Sequence, residues 1–111
     1  MRTTVVVHAD GWASYVQWVD ALRGWCRSVG QGMTAEIIDE LALDALEMSQ
    51  GHPESAKLVS TRSNGDELWT WQIYAHTRIS YIIRERRSWA GTRERRVMIV
   101  EYETTLPGES S

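Results

Sequence analysis

Between Leu68 and Tyr102 the apolar residues recur with a period of two, in three successive runs separated by turn signals. Alternation of that kind puts every second side chain on one face, which is the signature of strands and not of helix. In the first run Trp69, Trp71 and Ile73 oppose Leu68, Thr70, Gln72 and Tyr74. In the second, Ile79, Tyr81 and Ile83 oppose Arg78, Ser80 and Ile82. In the third, Met98, Val100 and Tyr102 oppose Val97, Ile99 and Glu101. Ser63-Asn64-Gly65-Asp66 is a turn signal ahead of the first run, and Ala75-His76-Thr77 makes a tight connection after it. Together they predict an antiparallel meander from Glu67 to Glu103. A sheet of this kind needs a second layer on its apolar face.

The first half supplies that layer. Thr3-Thr4-Val5-Val6-Val7-His8 is β-branched and short, a first strand. Asp10 can cap the helix that follows. Its apolar stripe is Trp12, Tyr15, Val16, Val19, Leu22, Cys26 and Val29, at three-and-four spacing, and Gly30-Gln31-Gly32 ends it. Thr34 is the candidate N-cap of a second helix, with Glu36 favourable in its first turn. Ile37, Ile38, Leu41, Ala42, Ala45 and Leu46 form its apolar stripe, and Gly51-His52-Pro53 stops it. Lys57-Leu58-Val59-Ser60 reads as a short strand or an extended connector. The expectation is an α+β fold of order β-α-α-β-β-β, with a helical hairpin packed on a twisted antiparallel sheet. With 111 residues the chain is long enough for one domain and short for two. That domain is expected over residues 1–105, with 106–111 as a flexible tail.

The last two strands enclose a basic tip: Arg84-Glu85-Arg86-Arg87, then Ser88-Trp89-Ala90-Gly91-Thr92, then Arg93-Glu94-Arg95-Arg96. From Arg78 to Arg96 there are seven arginines and two glutamates, in a chain whose net charge is −3. The imbalance is regional: residues 1–56 carry three basic and eight acidic groups, residues 57–111 nine basic and seven acidic. Arginine binds phosphate bidentately, and Trp89 between the two clusters offers a surface on which a base can stack. Arg84, Arg86, Arg87, Trp89, Arg93, Arg95 and Arg96 are therefore the candidate contacts to nucleic acid or an acidic partner. The same tip also reads as a solvated hairpin in which Glu85 and Glu94 interleave with the arginines.

Other chemistry is sparse. Cys26 is the only cysteine, so neither an intramolecular disulfide nor a cysteine zinc site can form, which fits a reducing, cytoplasmic setting. No run is long enough to span a membrane. His8, His52 and His76 lack metal-ligand spacing, there is no phosphate-binding glycine loop, and no cofactor is expected. Metal-free RNA cleavage needs a base or acid, a charge stabiliser and a proton donor. His76, Arg78 and Tyr102 (or Tyr81) are the candidates for those roles. Against them stands the reading of a turn histidine and a solvated strand arginine. Trp69 and Trp71 share one strand face: facing the helices they read as core, the favoured reading, and facing outward they would form a binding platform. Trp18 and Trp25 lie seven apart, Trp18 off the main stripe, and exposed there they would form a partner or homodimer surface.

One set of segments has a counterpart elsewhere. His52-Pro53, Lys57-Leu58, a glycine-containing turn, Leu68-Trp69-Thr70-Trp71-Gln72-Ile73, Arg78-Ile79-Ser80-Tyr81 and Val97-Met98-Ile99-Val100 follow one another in this order. In that order, and in the strand, helical hairpin and meander around it, the chain resembles the RelE/ParE toxin superfamily. The resemblance implies a bacterial or phage-encoded growth inhibitor, with an antitoxin protein as partner. RelE-like members cleave mRNA, many of them on the ribosome, and ParE-like members poison DNA gyrase. It makes Arg78 the counterpart of the arginine near the scissile phosphate and Tyr102 that of the tyrosine after the last strand. The chain departs from the RelE pattern where Trp69 and Trp71 stand near the family's basic positions, and where no arginine follows the last strand. A non-catalytic inhibitor of gyrase or another host protein is the rival expectation.

Overall fold

The computed structural model describes residues 2–29, 34–73, 76–87 and 89–105. In chain order they form β1 (Arg2–Val7), α1 (Ala9–Val29), α2 (Ala35–Met48), β2 (Lys57–Thr61), β3 (Glu67–Ile73), β4 (Thr77–Arg87) and β5 (Arg93–Thr104). The expected helix stop at 30–32, the place of Tyr74, Ala75 and Ser88, and the tail over 106–111 lie outside the described residues.

The α+β class is as expected, with the two helices sharing one core with a five-stranded sheet ordered β1-β5-β4-β3-β2. The sheet differs from the expected β-α-α-β-β-β order in two respects. Lys57–Thr61, left open as strand or connector, is an edge strand paired antiparallel with β3. β1 pairs with β5 in parallel, Val5 beside Val97 and Val7 beside Ile99, so the sheet is mixed. Parallel neighbours need a long crossover. The helices and the meander between β1 and β5 supply it, and the pairing puts Val5 and Val7 against the buried face.

That face collects Trp69, Trp71 and Ile73 from β3, Ile79, Tyr81 and Ile83 from β4, and Val97, Ile99 and Tyr102 from β5. The β5 set breaks the expected alternation. Ser80 pairs with Glu101 but Tyr81 pairs with Ile99, which leaves Val100 as the extra residue of a bulge. One added residue reverses the side-chain parity beyond it, so Tyr102 turns inward along with Val97 and Ile99. α1 satisfies the backbone beside the bulge: the Tyr102 N–H donates to Ser14 Oγ (2.9 Å), whose hydroxyl donates to Gly11 O (2.9 Å). Gly11 is required there, because a Cβ would stand 2.6 Å from the Ile99 carbonyl oxygen.

The helices meet the sheet with a rotated stripe. Trp18, Val19, Leu22 and Cys26 are buried, whereas Trp12 and Val16 stand exposed. Trp18 is core because its indole N–H finds the buried Thr77 hydroxyl (3.1 Å) and its ring packs 5.1 Å from that of Tyr102. A tryptophan can be fully buried when its one polar atom has a partner. Asp10 sits inside the first turn of α1, not at its cap; the His8 imidazole accepts the Asp10 N–H instead (3.2 Å). Thr34 caps α2 as expected, its hydroxyl accepting from the Ile37 N–H at 3.2 Å. α2 buries Ala35, Ile38, Ala42 and Leu46. Gly51 closes the helix, its N–H donating to Leu46 O at 2.8 Å. With φ +84° it takes a left-handed turn that brings it against Ile83 and Val97.

Candidate nucleic-acid interface

β4 and β5, at 11 and 12 residues, outrun their neighbours. β3 stops pairing at Ile83, and β1 begins beside Glu94. Beyond those points the sheet narrows to a two-stranded ribbon, and the molecule is drawn out to 50 × 27 × 25 Å. The ribbon ends in a turn with Trp89 fully exposed and Gly91 at φ +81°.

The register sorts the arginines. Ile83 and Val97 face the core, so by alternation Glu85, Arg87, Arg93 and Arg95 share their face. Arg84, Arg86, Glu94 and Arg96 lie on the other. Two arginines are locally neutralised. Arg84 grips Asp66 of the β2–β3 turn with Nε (3.1 Å) and Nη2 (2.7 Å). The hydrogen bonds from Arg84 hold the buried Asp66 carboxyl below its ordinary pKa. Arg95 pairs with Glu85 and donates to Gln50 O (3.0 Å), tying the ribbon's base to the end of α2.

Arg86, Arg87, Arg93 and Arg96 remain. None has a carboxylate within 4.0 Å among the described residues, although Glu94 stands opposite Arg86 in the ladder. Of the two interleaved glutamates expected, only Glu85 forms an ion pair among the described residues. Twice the ladder sets arginine directly across from arginine, Arg84 by Arg96 and Arg87 by Arg93. Like charges facing each other across strands destabilise a hairpin. Asp66 relieves the first pair, and nothing among the described residues relieves the second.

The proposed cleavage residues do not converge. Arg78 lies on the face away from the helices and is ion-paired with its cross-strand neighbour Glu103 at 2.6 Å. Tyr102 lies on the opposite face, buried, and its hydroxyl donates to Asp39 Oδ1 at 2.8 Å. Burial, then the Asp39 charge, push the Tyr102 phenol well above its ordinary pKa. Tyr81 is likewise buried, with its hydroxyl donating to Gly51 O (2.7 Å). His76 sits in the β3–β4 turn at φ +53°, its ring edge-on to Trp25 with centroids 5.5 Å apart. These positions tie strands and helices together.

Sequence reasoning passed over Asp66, which anchors Arg84, and Glu103, which neutralises Arg78. It also passed over Arg2 and Thr4, which the parallel pairing brings beside Glu94 and Arg96. Asp66 and Glu103 lie 18 and 25 residues from their partners, and no local spacing marks them. Of the expected tryptophan surface, Trp18 is buried and Trp25 half-buried, and Trp12 is the exposed ring of α1. Among the described residues no cluster of histidine, cysteine and carboxylate side chains could hold a metal ion, and no helix is long and apolar enough to cross a membrane. Comparison with protein-family models, curated proteins and solved structures found no match.

Proposed function

We propose that this chain is a toxin-type growth inhibitor of RelE/ParE-like character that works in the cytoplasm by docking on RNA, with the ribosome as its platform. The observation that carries the reading is the projecting β4–β5 ribbon. It presents four arginines without carboxylate partners among the described residues and a fully exposed Trp89, on a chain that is otherwise acidic. Arg87 facing Arg93 without a neutralising carboxylate among the described residues breaks a local rule of hairpin pairing, and such breaks concentrate at functional sites. Free guanidinium groups supply phosphate contacts and Trp89 a stacking surface for an unpaired base. The resemblance to the toxin superfamily connects this docking with growth arrest. Docking without cleavage is the form of the reading that the site favours, since Arg78 is neutralised and Tyr102 lies on the opposite face.

The test replaces Arg86, Arg87, Arg93 and Arg96 with Glu. RNA and ribosome binding should fall by at least a hundredfold and lose its salt dependence, because the released counterions are those of the contacted phosphates. Thermal stability should hold, since all four side chains are exposed. In cells the wild type should arrest growth with mRNA intact and the variant should not. Binding that survives the four substitutions overturns the reading.

A second reading, inhibition through a protein partner such as gyrase or another host protein, is favoured by a separate observation. The helical layer exposes two apolar pairs at helical spacing, Trp12 with Val16 and Ile37 with Leu41. An antitoxin would also fit this surface. Loss of partner capture in Trp12→Ala/Leu41→Ala, with RNA binding unchanged, would assign the two functions to two faces.

A further inference from the structure

The distribution of the free arginines between the two faces of the ribbon says more than their number. Arg86 and Arg96 project from one face and Arg87 and Arg93 from the other, with Trp89 at the turn between them. A ribbon lying flat on a single strand would use the cations of one face and leave the other pair in solvent. Cations on both faces are satisfied together only between two rows of phosphates. Two such rows flank the groove of a double helix.

We infer that the hairpin tip is a groove-inserting element whose ligand is a double-helical nucleic acid with an open groove. This rests on the nucleic-acid docking proposed above. The dimensions agree. The major groove of B-form DNA is about 12 Å wide and admits a two-stranded β-ribbon. Strands pair about 4.8 Å apart, so the free ribbon is narrow enough to enter. The ribbon is free on both sides only beyond Glu94, where β1 begins, and beyond Ile83, where β3 ends its pairing. Arg86, Arg87, Trp89 and Arg93 thus lie on the part able to enter, with Arg96 at its base. Arg2 and Thr4 flank that base on β1 and would meet the rim of the groove. Regular A-form RNA has a deep, narrow major groove, so an RNA ligand must be a helix opened by a bulge or internal loop. The shared chemistry is two facing phosphate rows across an accessible groove.

The experiment uses the full chain and four probes of matched length: a B-form DNA duplex, an RNA stem with a central bulge, an uninterrupted RNA stem and a single-stranded RNA. Binding is titrated at several salt concentrations for the wild type, Arg86→Ala/Arg96→Ala and Arg87→Ala/Arg93→Ala. The DNA duplex or the bulged stem should bind at least tenfold tighter than the single strand and the uninterrupted stem, and whichever leads identifies the source. Each double variant should lose tenfold or more and should flatten the salt slope on DNA by about two units, one for each lost phosphate contact. If only one pair matters, or the single strand binds as tightly as the leading helix, insertion is overturned while docking by the hairpin stands. If no probe binds, or the wild type and both variants bind alike, the docking reading itself fails.

Discussion

At the scale of residues, two aspartates with opposite environments set how stability responds to acid. Asp66 is held below its ordinary pKa by hydrogen bonds from Arg84. Its stabilisation is therefore present above the unfolded carboxylate value of about 3.9 and is lost as pH falls through the lower folded value. Asp39 is raised by desolvation at the α2–β5 contact, with Glu40 and Glu36 adding to the rise and the Tyr102 hydrogen bond opposing it. Its contribution has the reverse sign: it is full below the ordinary value and is lost as pH rises through the raised one. In urea titrations across pH, Asp66→Asn should remove the acid-side loss and cost roughly 2 kcal/mol at neutral pH, the size of a hydrogen bond to a charged partner. Asp39→Asn should remove the decline that sets in as pH rises above the ordinary carboxylate value, and keep an acceptor for the Tyr102 hydroxyl. What was legible at this scale was local. The Thr34 cap could be read because its partner Ile37 is three residues away. The burial of Trp18 could not, because Thr77, which accepts its N–H, is 59 residues away. Helical spacing alone fits both the stripe through Trp12 and Val16 and the one through Trp18 and Trp25.

Among elements, β4, β5 and their hairpin were the most legible part of the chain. Period-two alternation on both sides of a glycine turn fixes antiparallel pairing, and the tip residues fell where the sequence put them. The Val100 bulge was not legible, since alternation read along β5 assumes that no residue is left over. Ser14, which takes the Tyr102 N–H beside the bulge, is 88 residues away. The cleavage trio was hidden for the same reason. His76 and Arg78 are close in sequence, but the face each side chain meets is set by Glu103, Trp25 and the bulge. The ribbon beyond the base contacts adds nothing to the core, which stops at Ile83 and Val97, and its tie to the end of α2 is made by Arg95. Replacing residues 86–94 by a two-residue Asn-Gly turn, which keeps Glu85 opposite Arg95, should change stability by no more than about 1 kcal/mol, since exposed positions away from packing contribute little. The same replacement should abolish nucleic-acid binding. Calorimetry and a binding titration on one preparation check both outcomes.

The whole molecule is organised by a strand pairing that no local pattern announces. β1 and β5 stand at opposite ends of the described chain, and β5 lies between β1 and β4. β1 therefore has no partner in the sheet until β5 is in place, and α1 lacks the carbonyl of Ile99 and the backbone of Tyr102 that its first turns meet. Non-local closure of this kind is slow, because loop entropy is lost before the contact forms. Synthesis runs from the N-terminus, which adds a time axis. A nascent chain held on the ribosome with β5 still in the exit tunnel should be cut readily by protease, and protection should appear abruptly once Thr104 has emerged. The β1–β5 ladder thus makes closure of the sheet wait for the synthesis of β5.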